Sequence, residues 1–284
     1  MRFSEGPRTT PDGATLWLRA WEPDERPPRA AGVLVHGLGE HCGRYAHVGE
    51  RFARASLALL AFDLRGHGRS SGRRGDTRFE AALEDVDRRL ADARATGGPA
   101  FLYGHSLGAL LVLAYLVRRR PPVLAAIVSA PPLQNALREQ RTKRLLSRTL
   151  GRILPGLTLS TGLDPAGLSR DPTVVEAYRR DPLVHDRATL GLAEDALAAT
   201  AALEAGAATG VPLLVVHGGA DPIAYPEGSR RLAARIAGGA TLVVHEGLRH
   251  EPHNEPERER VLDGIVDWLA ARLPPRDPAA GIGV

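Results

Sequence analysis

The 284-residue chain has one cysteine, Cys42, one lysine, Lys143, and 5% aromatic residues. A single thiol excludes any intrachain disulfide, so a packed core has to supply the stability, and a reducing compartment is compatible with that. No apolar run approaches the roughly 18 residues that suggest a membrane span. The first residues, MRFSEGPRTTPDG, show neither the apolar h-region of a secretory signal nor an Arg/Ser-rich amphipathic transit pattern, so the expectation is a cytoplasmic protein. The net charge of +4 rests almost wholly on arginines scattered among acids. Without interleaved arginines and aromatics there is no nucleic-acid surface to expect.

What the chain does have is an alternation of short aliphatic runs with longer helical patterns, the signature of an α/β fold with a largely parallel sheet. TLWLRAW (15–21) alternates as a half-exposed strand. GVLVHG (32–37), LALLAFD (57–63), AFLYGH (100–105), AAIVSAP (125–131), PLLVVHG (212–218) and ATLVVHEG (240–247) read as mostly buried strands. Between them, segments such as FEAALEDVDRRLADARA and LGALLVLAYLVRR carry apolar residues at three- and four-residue spacing, as helices covering a sheet do. The rhythm breaks over 132–186, where a basic helical stretch and Pro/Gly/Asp-rich loops predict an inserted helical cap on a core of 1–131 and 187–273. The tail, 274–284, has no pattern and is expected to be loose.

Gly104-His105-Ser106-Leu107-Gly108 joins the strand AFLY to the helix LGALLVLAYLV, the strand-turn-helix setting that a G-x-S-x-G nucleophile elbow requires. A serine hydroxyl needs a base to take its proton, and the base needs an orienting group; in this setting the order along the chain is Ser, acid, His. Asp221, just after the strand PLLVVHG, is the candidate acid, with Asp195 in a helical pattern as its rival. His250, in the loop GLRHEPHNE, is favoured as base over His253 three residues on and His245 in the strand. The oxyanion formed from an attacked carbonyl needs backbone N–H donors, expected from Leu107 and from Leu38 in HGLGEH.

HGLGEHCGRY (36–45), FDLRGHGRSSG (62–72), GHSLGA (104–109), DPLVHD (181–186), HGGADPI (217–223) and GLRHEPHNE (247–255) together resemble the monoacylglycerol lipase and lysophospholipase-type serine hydrolases of the α/β-hydrolase fold. The resemblance implies a mostly parallel eight-stranded sheet flanked by helices, with a helical cap inserted after the sixth strand. It implies Ser106, Asp221 and His250 as the triad, Leu38 and Leu107 as oxyanion donors, no cofactor and no metal. The substrate it implies is a monoacylglycerol or similar lipid ester, cleaved to glycerol and a fatty acid through an acyl-enzyme, with other carboxylic esters or lysophospholipids as alternatives. A catalytically silent ligand-binding protein of the same fold is the remaining class. The family often has Met at the position of Leu107, a departure that leaves the backbone donor intact, and Gly at that of Ala109, a departure that asks for slightly different helix packing.

Other patterns weigh less. His245-Glu246-Gly-Leu-Arg-His250 has one residue too many for H-E-x-x-H and starts on a strand, so it does not present a zinc pair. Gly66-His-Gly68-Arg-Ser-Ser-Gly72 misses a nucleotide-binding glycine motif by one and reads as a turn. Asp63 is expected to form a turn rather than face the site. Arg74-Gly75-Asp76 is a chance tripeptide and Cys42 a spectator thiol. In the cap, Leu137, Leu145, Leu146, Leu150, Ile153 and Leu154 alternate with arginines and Lys143, either packing inward or resting transiently on an anionic lipid surface.

Overall fold

The computed structural model describes residues 1–135, 153–206 and 208–275. Ten strands are described: β1 (Arg2–Thr9), β2 (Thr15–Glu22), β3 (Ala30–Val35), β4 (Leu57–Phe62), β5 (Ala100–His105), β6 (Ala125–Ser129), β7 (Thr158–Ser160), β8 (Arg187–Thr189), β9 (Leu213–Gly218) and β10 (Thr241–His245). The described helices are α1 (Ala46–Arg54), α2 (Phe79–Arg94), α3 (Leu107–Arg119), α4 (Pro172–Arg180), α5 (Leu190–Glu204), α6 (Pro226–Arg235) and α7 (Arg258–Ala270). Eight strands form one sheet in the order β1-β2-β4-β3-β5-β6-β9-β10. From β4 to β10 all neighbours are parallel, while β2 runs antiparallel to both β1 and β4. This is the α/β-hydrolase fold that the sequence led us to expect.

Strands β3, β4, β5, β6 and β9 are buried along their whole length, because helices cover both faces. Their side chains alternate between two cores. Val33, Val35, Leu60, Leu102, Val128 and Val215 pack with α2, α3 and α5 on one face. Leu34, Leu59, Phe101, Ile127 and Val216 pack with α1 and α7 on the other. Each fully buried side chain of this kind contributes about 1.5–3 kcal/mol, which is how a chain without disulfides holds together.

Sequence patterning missed β1. RFSEGPRT is an exposed edge strand, with Pro7 opposite Trp17, and so lacks the apolar alternation by which strands are read. The stretch expected to be a helical cap is not helical alone. Its described part holds α4, a 3-10 turn at Pro165–Gly167, and β7, which pairs antiparallel with β8 in a separate two-stranded sheet. At three residues each, these strands are too short to leave a periodic signal. The basic amphipathic stretch, including Leu137, Lys143, Leu145, Leu146 and Leu150, lies outside the described residues, as does the tail from 276 onward. Ile153 and Leu154 are described and exposed. No helix among the described residues is long and apolar enough to cross a membrane.

Candidate active site

Ser106 sits between the C-terminal end of β5 and the first turn of α3, with φ +50° and ψ −118°. That conformation is costly for a residue with a side chain and persists because its surroundings hold it. The Ser106 N–H donates to the Ser129 carbonyl of β6 at 2.9 Å. A Cβ at position 104 would lie 2.4 Å from the Gly108 carbonyl oxygen, and one at 108 would lie 2.0 Å from that of Val35. Only glycines at both positions let β5 turn into α3 this tightly, which leaves the serine hydroxyl presented at a helix N-terminus.

The loops after β9 and β10 meet at this point. His250 Nε2 is 3.0 Å from Ser106 Oγ, and His250 Nδ1 is 2.8 Å from Asp221 Oδ2. Asp221 Oδ1 accepts the N–H groups of Ile223 at 2.8 Å and Ala224 at 3.0 Å. Its Oδ2 is also 3.2 Å from His217 Nε2, which in turn lies 2.8 Å from the Ala224 carbonyl oxygen. Both of these neighbours are acceptors only, so the proton of His217 sits on Nε2, and Nδ1 accepts from the Ser229 hydroxyl at 2.7 Å. Burial opposes the charge on Asp221, yet the two histidines hold its carboxyl well below the usual carboxylate range. For His250, burial favours the neutral ring, but Asp221 outweighs it and raises the pKa above that of free histidine. The arrangement can take a proton from the serine and hold it.

Neither backbone amide expected as an oxyanion donor has an acceptor among the described residues. Leu107 N–H is the first of α3, and Leu38 N–H lies in the loop after β3. That loop touches the elbow, since a Cβ on Gly37 would lie 3.2 Å from Ser106 Cβ. His36 Nε2 accepts the Leu64 N–H at 2.9 Å, so its Nδ1–H donates to the Gly37 carbonyl at 2.7 Å. In a trans peptide the N–H points opposite to the carbonyl, and His36 thereby sets the direction of the Leu38 N–H.

A family model described as serine aminopeptidase, S33, matches residues 26–257. A monoacylglycerol lipase of Mycolicibacterium smegmatis is 37% identical over 273 residues, covering 92% of this chain and 95% of that protein. The crystal structure of a Paleococcus ferrophilus monoacylglycerol lipase superposes with a TM-score of 0.83 at 38% identity, over 90% of this chain and 99% of that one. The chain belongs to the monoacylglycerol lipase-like family of α/β-hydrolase-fold ester hydrolases. It spans 28% of the length of another relative, an uncharacterized abhydrolase domain-containing protein of Dictyostelium discoideum that is 37% identical over 269 residues.

For a member of this family, the residues that compete with the central three are given other places by the fold. His253 stacks on Tyr45, with ring centroids 4.8 Å apart, and burial lowers its pKa to about 3. His245 ends β10, partly exposed. Asp195 lies on α5 and accepts the Phe79 N–H at the start of α2. Asp63 holds its turn by accepting the N–H groups of Cys42 and Arg69, and Arg65 pairs with Asp85 and Asp12. Burial pushes the Cys42 thiol up, as suits a spectator.

Sequence reasoning missed two groups whose partners belong to or adjoin the central three residues, Asp221 for one and Glu251, next to His250, for the other. One is His217, legible only as the histidine four residues before an acid at a strand end. The other is Arg44, which donates to Glu251 through both terminal nitrogens, at 2.6 and 2.7 Å, and to Glu40 at 2.7 Å. Burial raises the Glu251 pKa, but Arg44 outweighs it and brings the carboxyl down to about 2. Glu40, His105 and Glu251 bring ligand-type atoms within 4.8 Å of one another, the spacing a metal ion needs. The Arg44 guanidinium lies between the two carboxylates, and their oxygens also accept from the Gly37 N–H, the Tyr45 hydroxyl and the Asn254 amide, so these donor atoms are already engaged within the protein.

Proposed function

We propose that the protein hydrolyses the ester bond of monoacylglycerols, with Ser106 as nucleophile, His250 as general base and Asp221 as the group that orients it. The observation that carries this reading is the unbroken chain Ser106 Oγ, His250 Nε2, His250 Nδ1, Asp221 Oδ2, with separations of 3.0 and 2.8 Å, at a strained elbow. Ser106 Oγ attacks the ester carbonyl as its proton passes to His250, and the N–H groups of Leu38 and Leu107 stabilise the oxyanion. Collapse of that intermediate breaks the ester C–O bond, and His250 gives its proton to the departing glycerol oxygen. Water then attacks the acyl-enzyme by the same route, releasing the fatty acid and restoring Ser106.

The described residues of the 132–186 stretch belong, on this reading, to a cap over the core of 1–131 and 187–273, with 136–152 outside the described residues. In its support, the cap side reaches the site: His250 N–H donates to the Gly167 carbonyl at 3.3 Å. Ile153, Leu154, Leu157 and Leu159 stand exposed on the same segment and suit transient contact with a lipid surface, from which a lipid ester enters.

Fatty-acid release from a medium-chain monoacylglycerol, beside di- and triacylglycerols, a lysophospholipid and a short p-nitrophenyl ester, tests this reading. Preference for the monoacylglycerol, lost by about 10⁴-fold or more in Ser106→Ala, is the expected result. Turnover of the short ester alone would reduce the substrate to a general carboxylic ester, and activity surviving in Ser106→Ala would remove the assignment of the nucleophile.

A further inference from the structure

The motif DPLVHD (181–186) is a matched segment that supplies none of the proposed catalytic groups. Its contacts converge on the loop that carries Leu38. His185 N–H donates to the Gly39 carbonyl at 2.8 Å. His41 Nδ1 accepts the Gly43 N–H, so its Nε2–H donates to Asp181 Oδ2, at 2.8 Å. Asp181 Oδ1 is occupied by the Leu183 N–H at 2.8 Å, which fixes the carboxylate plane. The His185 ring is fixed as well: Nδ1 accepts the Arg187 N–H at 3.2 Å, and Nε2–H donates to the Gly66 carbonyl at 3.0 Å.

Gly39 has φ +78°, and a Cβ there would lie 2.2 Å from the His185 carbonyl oxygen. Backbone thus meets backbone with no room for a side chain between them. The loop is held from two directions: His36 grips the Gly37 carbonyl from the β3 side, and the 181–185 segment grips Gly39 and His41 from the other. Leu38 lies between the two grips.

We infer that Asp181 and His185 are positioning residues, forming a clamp by which the inserted segment holds the Leu38 N–H in register with Ser106. The inference rests on the proposed role of Leu38 as an oxyanion donor. Displacing the 181–185 segment would then weaken transition-state stabilisation without touching substrate, Ser106, His250 or Asp221.

The test compares His41→Ala, Asp181→Ala and His41→Gln with the parent enzyme on a short p-nitrophenyl ester, alongside thermal unfolding. Removing one oxyanion donor outright costs about 10²–10³ in kcat, so a loosened donor is expected to cost about 10–100-fold in kcat with KM within about 3-fold. Affinity for a trifluoromethyl ketone, whose adduct with Ser106 places an oxyanion in the same position, falls by a similar factor. His41→Gln, whose amide retains a donor toward Asp181, recovers most of both losses. Gly39→Ala, which wedges the clamp apart at the backbone, reproduces the loss if His41→Ala does not fold.

Folded variants that keep kcat and ketone affinity within about 3-fold of the parent, or that lose activity through KM alone, overturn the clamp. Labelling by a fluorophosphonate separates the two levels of the argument. A parent enzyme whose Ser106 resists labelling overturns the catalytic reading itself, whereas normal labelling with unaltered kcat in His41→Ala overturns only the clamp.

Discussion

Replacing His217 by leucine removes one of the four hydrogen bonds that Asp221 accepts from His217, His250, Ile223 and Ala224. A hydrogen bond to a charged group contributes about 1.5–3 kcal/mol. This one is 3.2 Å long and its proton is shared with the Ala224 carbonyl, so about 1 kcal/mol is the share that Asp221 loses. The carboxylate then pulls harder on the proton of His250 Nδ1 and stabilises the imidazolium. At 1.36 kcal/mol per pKa unit, the His250 pKa rises by roughly 0.5–1. Glu251 and Glu40 also favour the charged ring, while the buried His105 and His253 face it as neutral neighbours, and none of these changes in the variant.

A base must be unprotonated to act, so the acid limb of kcat/KM against pH moves to higher pH by the same amount. The assay is hydrolysis of a short p-nitrophenyl ester between pH 4 and 9, with His217→Gln as the conservative control, since its amide retains a donor. An acid limb that stays in place in a folded His217→Leu, or that moves to lower pH, refutes the reasoning. Leaving the Ser229 hydroxyl and the Ala224 carbonyl unpaired also costs stability, about 2–4 kcal/mol, and that loss on its own moves no pKa.

Arg44→Met leaves the carboxylates of Glu40 and Glu251 buried without their cation, and a loss of about 3–5 kcal/mol in urea unfolding at neutral pH is expected. The loss shrinks in Arg44→Met/Glu40→Gln/Glu251→Gln, which has no orphaned charge. For His253, burial holds the folded pKa at about 3, below the 6.5 of an unfolded chain. Its contribution to stability is therefore fully present above pH 6.5 and is lost as pH falls from there towards about 3. His253→Phe, which fits the stack on Tyr45 without a titrating nitrogen, flattens the fall of unfolding free energy across that window.

Much of the fold is legible because its evidence is local. The runs at β3, β4, β5, β6, β9 and β10 are aliphatic and bounded by turn residues, and α2, α3 and α7 repeat apolar residues at helical spacing. The elbow is legible for the same reason, since the steric demand for Gly104 and Gly108 falls within five residues of sequence. β1 was not legible, because an exposed edge strand is defined by its partner β2 and not by burial. β7 and β8 were not legible either, because three residues carry no period and their partnership spans a long loop.

By itself, then, the sequence determined the α/β architecture, the serine at a strand-to-helix turn, and a short choice of acids and histidines at strand ends. Propensity, periodicity and turn chemistry act between near neighbours, and those are what a sequence displays. Only the tertiary structure decided that His250 rather than His253 meets Ser106, across 144 residues of chain. Tertiary structure alone also set His217 behind Asp221, Arg44 between two buried carboxylates, and the DPLVHD segment against the Gly39 loop. These are contacts between loops from different strand ends, and the strand order of the sheet, rather than any local pattern, brings those loops to one edge.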